Sequence, residues 1–202
     1  VALDSVAGLQ LRERLLAAAS ALPEVEHASR QVSVPFWQTW DEDLYVAGID
    51  SVRKLGDFEI QGGTPDYFAT MGTALIRGRG ITASDRQGTE LVMVASQSMA
   101  ERLWPSDEAI GKCVRVGADT APCTYVVGIA QDIKTGSLSE PTPVYYRPVD
   151  QIAPESGGLF VRVRGSAAAA AEGVRRALTP VMPGAAYLNV TPLDEVLGQE
   201  RR

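Results

Sequence analysis

Apolar positions Leu11, Leu15, Ala18 and Leu22 recur at i, i+4, i+7 and i+11, and Leu16 and Ala19 widen the same stripe. That period predicts a helix over 5–22. Asp4 or Ser5 supplies its cap. Pro23 ends it, because the residue before a proline leaves the helical region. A strand follows over 24–34, where Val25, His27 and Ser29 alternate and Val32 and Val34 continue the period of two. The same order returns near the end. Leu159, Val161 and Val163 alternate with Phe160, Arg162 and Arg164, the pattern of a half-buried strand. Gly165 and Ser166 cap a helix over 167–181 whose face is Ala170, Val174, Leu178 and Val181. Pro183 and Gly184 break it, and 185–191 is extended with Leu188 and Val190 on one side.

Helix, proline and strand therefore occur twice, a weak internal repeat. Two such units, each with a leading strand, make a split βαβ, the ferredoxin-like sandwich. The second unit has its leading strand. The first shows only Val1, Ala2 and Leu3 for it.

The residues between have another texture. Short candidate strands fall at 45–49, 57–61, 91–95, 112–116, 124–130 and 144–147, with short helices at 65–71 and 97–103. Ser96 caps the second helix and Pro105 stops it. Strands this short, with regular turn signals, predict a small mostly-β insertion. The fold class is α+β: a ferredoxin-like unit of 1–38 plus 158–192, an inserted mostly-β unit of 39–157, and the start of a helix at 193–202. Segments 36–44 and 150–157 are the crossings.

The stretch 62–85 holds the densest punctuation. Thr64 caps a helix with Pro65 at its first position. Tyr67, Phe68 and Met71 form its stripe, and Gly72 stops it in the left-handed region. Leu75 and Ile76 run extended, Arg77-Gly78-Arg79-Gly80 turns the chain, and Ser84 or Asp85 closes the stretch. Nothing in it is reactive, so it reads as a positioning element.

Net charge −6 leaves no basic surface to neutralise phosphates, which argues against a nucleic-acid partner. No apolar run reaches the ~18 residues of a membrane span, and the start lacks the basic and apolar regions of a secretory signal. The chain opens without Met inside apparent structure, as an excised piece with flanking segments would. Cys113 and Cys123 flank the turn-rich segment 117–122 on two hairpin arms. They form either a disulfide, worth ~2–3 kcal/mol and implying an oxidising compartment, or two free thiols.

Candidate chemistry is sparse. His27 is the only histidine, so neither a metal triad nor a nucleophile–base pair assembles around imidazole. Gly78 and Gly80 imitate a phosphate turn without its strand–glycine–helix context. Asp41, Glu42 and Asp43 beside Trp37 and Trp40 echo a glycosidase pair, yet adjacent loop acids do not face each other at a fixed separation. Phe36, Trp37 and Trp40 form a candidate contact patch, since exposed aromatics favour interfaces. Asp132 follows a buried strand as a turn or cap residue. These residues argue against an enzyme, and against any metal or cofactor.

Thr64-Pro65-Asp66-Tyr67-Phe68, Met71-Gly72, Leu75-Ile76-Arg77-Gly78-Arg79 and Asp85 together resemble the signature of the MacB-like periplasmic core domain of FtsX/MacB-type ABC transporter permeases. The likeness continues through Val92–Val94, Ala100–Pro105, Ile110-Gly111-Lys112 with Val114, Tyr125–Ile129 with Asp132, Val144–Tyr146 with Pro148, and Thr191–Glu195. It covers essentially the whole chain, and its wording is similar to permeases of Acidobacteria and related phyla. Ala95-Ser96 departs from a usual Asn-Glu, Ser106-Asp107 from a glycine-containing turn, and the two cysteines lie outside the pattern.

The resemblance implies a ferredoxin-like porter-type subdomain with its insertion, held between two membrane helices on the periplasmic side of the inner membrane. It implies a cytoplasmic ATPase subunit or domain as partner and a second permease copy or second such domain. The work is mechanical, in export of peptides, lipids or amphipathic small molecules, with or without a periplasmic adaptor. The alternatives are a mechanotransmitting module that activates a periplasmic hydrolase, or a stand-alone ligand-binding protein.

Overall fold

Strand β1 (Val25–Gln31) joins two bodies of structure in the computed structural model, which describes residues 5–32, 41–134, 142–152, 157–184 and 187–200. The remaining strands are β2 (Leu44–Tyr45), β3 (Glu59–Gly63), β4 (Leu75–Gly78), β5 (Leu91–Ser96), β6 (Cys113–Val116), β7 (Cys123–Ala130), β8 (Val144–Pro148) and β9 (Gly158–Val163). The helices are α1 (Ser5–Ser20), α2 (Tyr67–Met71), α3 (Gln97–Leu103), α4 (Val149–Ile152), α5 (Ala167–Leu178) and α6 (Leu193–Glu200). The strands form one mixed sheet in the order β2-β6-β7-β5-β8-β3-β1-β9, with β4 added on β7. The fold is α+β, with α1 and α5 packed together on the antiparallel pair β1–β9 in the ferredoxin-like manner.

Three apolar clusters fill the molecule. On β5 and β8 successive side chains point to opposite faces. Met93, Ala95 and Tyr145 join Ile60, Val126 and the α3 residues Met99 and Leu103 on one face. Val94, Val144 and Tyr146 join Tyr67 and Phe68 on the other. The third cluster gathers Ala19, Val25, Ala28, Val174 and Leu178, with Leu15, Leu159, Val161, Leu188 and Val190 packed around it. Its members all come from 15–28 and 159–190, whereas those of the first two all come from 44–152.

Several expectations shift. α1 stops at Ser20, and Ala21–Glu24 turn into β1. The alternation expected along β1 fails from Ala28 to Gln31, all buried. The strand has cover on both faces, α1 on one and α2 on the other. Of 45–49 only Tyr45 lies in a strand, because the chain turns back at Val46 with Gly48 in the left-handed region. The strand expected at 57–61 is displaced to Glu59–Gly63 and runs through two glycines. α5 ends at Leu178, and Thr179–Val181 tightens to a 3-10 turn around Pro180. Residues 187–191, expected as a strand, carry no ladder. A 3-10 turn at Val52–Leu55 and the helix α4 were not foreseen. The expected leading strand at 1–3 and the boundary at 38/39 lie outside the described residues.

Local signals place α3 well. Ser96 Oγ accepts from Met99 N at 3.3 Å, and Asp132 Oδ1 accepts from Ser98 N at 2.9 Å, so two first-turn donors are satisfied. Ser96 Oγ also accepts from Val144 N, tying the end of β5 to the start of β8. Cys113 and Cys123 lie on paired arms with Cα atoms 5.2 Å apart and their sulfurs bonded. Among the described residues no helix is long and apolar enough to cross a membrane.

Candidate functional site

The punctuated stretch turns out to be the joint between the two bodies. β1 and β3 share a single register pair, Gln31 with Gly63. Around it the chain is closely stitched. Val32 N donates to Gly62 O at 3.1 Å, Thr64 N to Arg30 O at 3.2 Å, and Arg30 N to Thr64 Oγ1 at 3.2 Å. Thr64 Oγ1 in turn donates to Ser29 Oγ at 3.0 Å. Thr64 is therefore not the cap of α2. Asp66 holds that position, and no side chain caps the helix. The Thr64 hydroxyl is engaged by a strand more than thirty residues earlier in the chain.

The two glycines of β3 are a matter of space. A Cβ on Gly62 would come within 2.7 Å of Arg147 O and would press on Val32. One on Gly63 would overlap the Tyr67 ring. The absence of side chains lets β1 and α2 approach β3 closely. Tyr67 then stacks edge-on against Phe68 and leans on Tyr146, with ring centroids 5.1–5.3 Å apart across the three pairs. Burial pushes the hydroxyl pKa values of Tyr67 and Tyr146 well up, so both rings are neutral packing elements.

α2 also meets β9. Arg162 Nε donates to Thr70 O at 2.8 Å, near the C-terminal end of α2, where carbonyls lack helical partners. Gly72 ends the helix in the left-handed region, φ 72°. Its Cα lies so close to the Arg162 guanidinium that a Cβ would sit 2.8 Å from Nη2. Two polar contacts flank the joint. His27 Nδ1 stands 3.6 Å from an Asp66 carboxylate oxygen, and Arg30, 8% exposed, forms an ion pair with Asp150 of α4.

The rest of the stretch closes on itself. Arg79 grips Asp85 with two bonds of 2.7 and 3.0 Å, and Thr82 donates both N–H and hydroxyl to the same carboxylate. Burial alone would raise the Asp85 pKa. The Arg79 and Thr82 hydrogen bonds outweigh it and hold the carboxyl below its usual range. Gly78 lies directly on Val127 O and Gly128 of β7, so Arg77–Gly80 is a strand edge in close contact and not a phosphate turn.

The three adjacent acids are taken up by two arginines: Asp43 pairs with Arg53, which Asp41 also approaches at 3.9 Å, while Glu42 approaches Arg147 at 3.7 Å. Among the described residues no group of three His, Cys, Asp or Glu could hold a metal ion. The patch Phe36, Trp37 and Trp40 lies outside the described residues. Sequence reasoning found the stretch but missed its partners Ser29, Arg30 and Arg162, which no local signal announces.

A family model described as the MacB-like periplasmic core domain matches residues 4–180. No curated protein matches the chain by sequence. Among solved structures, the periplasmic region of MacB from Actinobacillus actinomycetemcomitans superposes with a TM-score of 0.65 at 16% identity. That match covers 94% of this chain and 82% of the other. The extracellular domain of the noncanonic ABC-type transporter YknZ from Gram-positive bacteria gives 0.59 at 15% identity, over 84% and 80%. A domain of a permease protein from Porphyromonas gingivalis gives 0.55 at 15%, over 82% and 69%.

Proposed function

Because the chain belongs to the MacB-like periplasmic core domain family, we propose that it is the extracytoplasmic part of an ABC transporter permease and relays movement driven by a cytoplasmic ATPase. Nucleotide binding shifts the membrane helices. The domain and a second copy of it then change their relative positions and expel peptides, lipids or amphipathic small molecules. Covalent chemistry resides in the ATPase.

The observation that carries this reading is the joint at Gln31–Gly63. The two bodies keep separate apolar clusters and share one ladder pair, stitched by Thr64, Arg162 and Asp150. Packed cores resist deformation, so motion concentrates where few contacts cross. This supports the division into 1–38 with 158–192 on one side and 39–157 on the other. A nucleotide-driven equilibrium needs such a two-state element to act upon.

The test uses the full-length permease with its ATPase in membranes. Cysteines replace His27 and Asp66, with Cys113 and Cys123 changed to serine. The expected result is a severalfold change in cross-linking rate between nucleotide-free and ATP-bound states. Identical rates in every nucleotide state would overturn the reading.

A further inference from the structure

The ladder between β1 and β9 carries one irregularity, and it decides which residue faces α2. Three residues of β1, Val25, Glu26 and His27, stand opposite two of β9, Val163 and Arg162. Such a β-bulge re-aims the side chains that follow it. Strict alternation would put His27 on the face of Val25, which packs into the third cluster. The bulge at Glu26 turns His27 to the other face, in register with Arg162, while Ala28 and Val161 take the cluster side.

His27 and Arg162 thereby become neighbours across the ladder, and each reaches one end of α2. Arg162 Nε donates to Thr70 O near the last turn. His27 Nδ1 stands 3.6 Å from Asp66 Oδ2, at the position that precedes the first turn. The helix is five residues long, about 7–8 Å, so a single cross-strand pair spans both its ends. The Arg162 tie is permanent, because a guanidinium stays charged. The His27 contact is conditional. At 3.6 Å it is too long for a hydrogen bond, and it becomes an ion pair only when the imidazole gains a proton.

We propose that His27 is a proton-operated latch on α2. Protonated, it holds Asp66 and clamps the helix to β1. Neutral, it lets that end go and leaves Arg162 as the pivot. Histidine changes charge between pH 5 and 8, and His27 is the only histidine in the chain. The latch therefore stiffens the joint in acid and loosens it as pH rises through that range.

The charges around His27 set this sign. From α2 it is faced by the Asp66 carboxylate, and the helix itself, Tyr67–Met71, carries no charged side chain. From β9 its neighbour is Arg162, whose guanidinium is drawn to the far end of α2 beside Gly72. Charge interactions weaken with distance, so attraction to Asp66 outweighs that repulsion. β3 meets β1 at Gly63, which brings no charge, and α1 lies on the opposite face. Glu26, next in the chain, is 3.6 Å from Arg164. The His27 and Asp66 side chains are 42% and 62% exposed, so the pH of the surrounding solution reaches them.

The latch rests on the reading of the joint as the moving part, and the experiment separates the two. Spin labels are placed at Glu101→Cys on α3 and Ala168→Cys on α5 of the full-length permease, with Cys113 and Cys123 changed to serine. Labelled protein is diluted with unlabelled copies in membranes, and the distance distribution is read by double electron–electron resonance. Without nucleotide, the broad, open component should grow about two- to fivefold between pH 5.5 and pH 8, the scale of one exposed ion pair. In His27→Gln and in Asp66→Asn it should be the same at both pH values. A distribution indifferent to pH in the unsubstituted joint would overturn the latch, and so would a full pH response that survives in His27→Gln. ATP added at pH 8 tests the relay independently. A response to pH without one to ATP keeps the latch and removes the relay, and the reverse removes the latch alone.

Discussion

Arg162 of β9 hands a guanidinium N–H to the carbonyl oxygen of Thr70, 92 positions away in sequence and 2.8 Å away in space. The bond joins the edge of the terminal unit to the last turn of α2. Arg162→Ala removes a charged donor from an orphan carbonyl at an exposed side chain, so a loss of ~1 kcal/mol in urea unfolding is expected. Arg162→Lys should restore little, because a flexible ammonium does not reproduce the planar fork. A substitution neutral to stability at both residues would show the bond contributes nothing.

Gly63→Ala places a methyl group inside the Tyr67 ring. Overpacking of this kind costs about 1–3 kcal/mol. Combining it with Tyr67→Ala should cost less than the sum of the two single changes, since removing the ring takes away Cγ and Cδ2, two of the three atoms in the overlap. Thermal unfolding of the four variants measures that coupling, and strict additivity would refute the steric account.

Acid should act through Asp85. Its folded pKa is depressed, so its contribution is fully present above the unfolded value of about 3.9 and is lost as pH falls through the folded value. Asp85→Asn should lower stability by roughly 1–3 kcal/mol at pH 7, because Arg79 loses its bidentate partner. Wild type and variant should converge as pH drops below 4. Urea midpoints measured from pH 7 to pH 2 follow that convergence, and parallel curves would contradict it.

Cys113 and Cys123 close a loop of about ten residues across the β6–β7 hairpin. Protein purified from an oxidising compartment should show no free thiol by mass spectrometry after alkylation. Replacing both cysteines with serine should cost ~2–3 kcal/mol on the chain-entropy argument. Two alkylated cysteines in the native protein would dismiss the bond.

Local chemistry announced what local chemistry decides. Ser96 before an apolar run, with Pro105 after it, marked α3 correctly. Gly72 marked the end of α2, and the alternating arms on either side of 117–122 marked the β6–β7 hairpin. The joint was harder to see, because its partners are distant. A threonine before a proline reads as a cap, and nothing near Thr64 reveals that Arg30 and Ser29 claim its hydroxyl. The strand expected at 57–61 stops short of Gly62 and Gly63, whereas the ladder runs through them and their bareness serves strand packing. β1 misled for the same reason. Its second covered face belongs to α2, which follows it by more than thirty residues.

β1 is the one strand that belongs to both bodies, laddered to β9 along its length and to β3 at its tip. Such an arrangement behaves as a spine between two stiff leaves. Twist applied at the far edge of one leaf reaches the other through two backbone hydrogen bonds and a handful of side-chain ties. The relay is then tuned by those ties, and evolution can loosen or tighten it by altering Thr64 or Arg162 without touching either leaf.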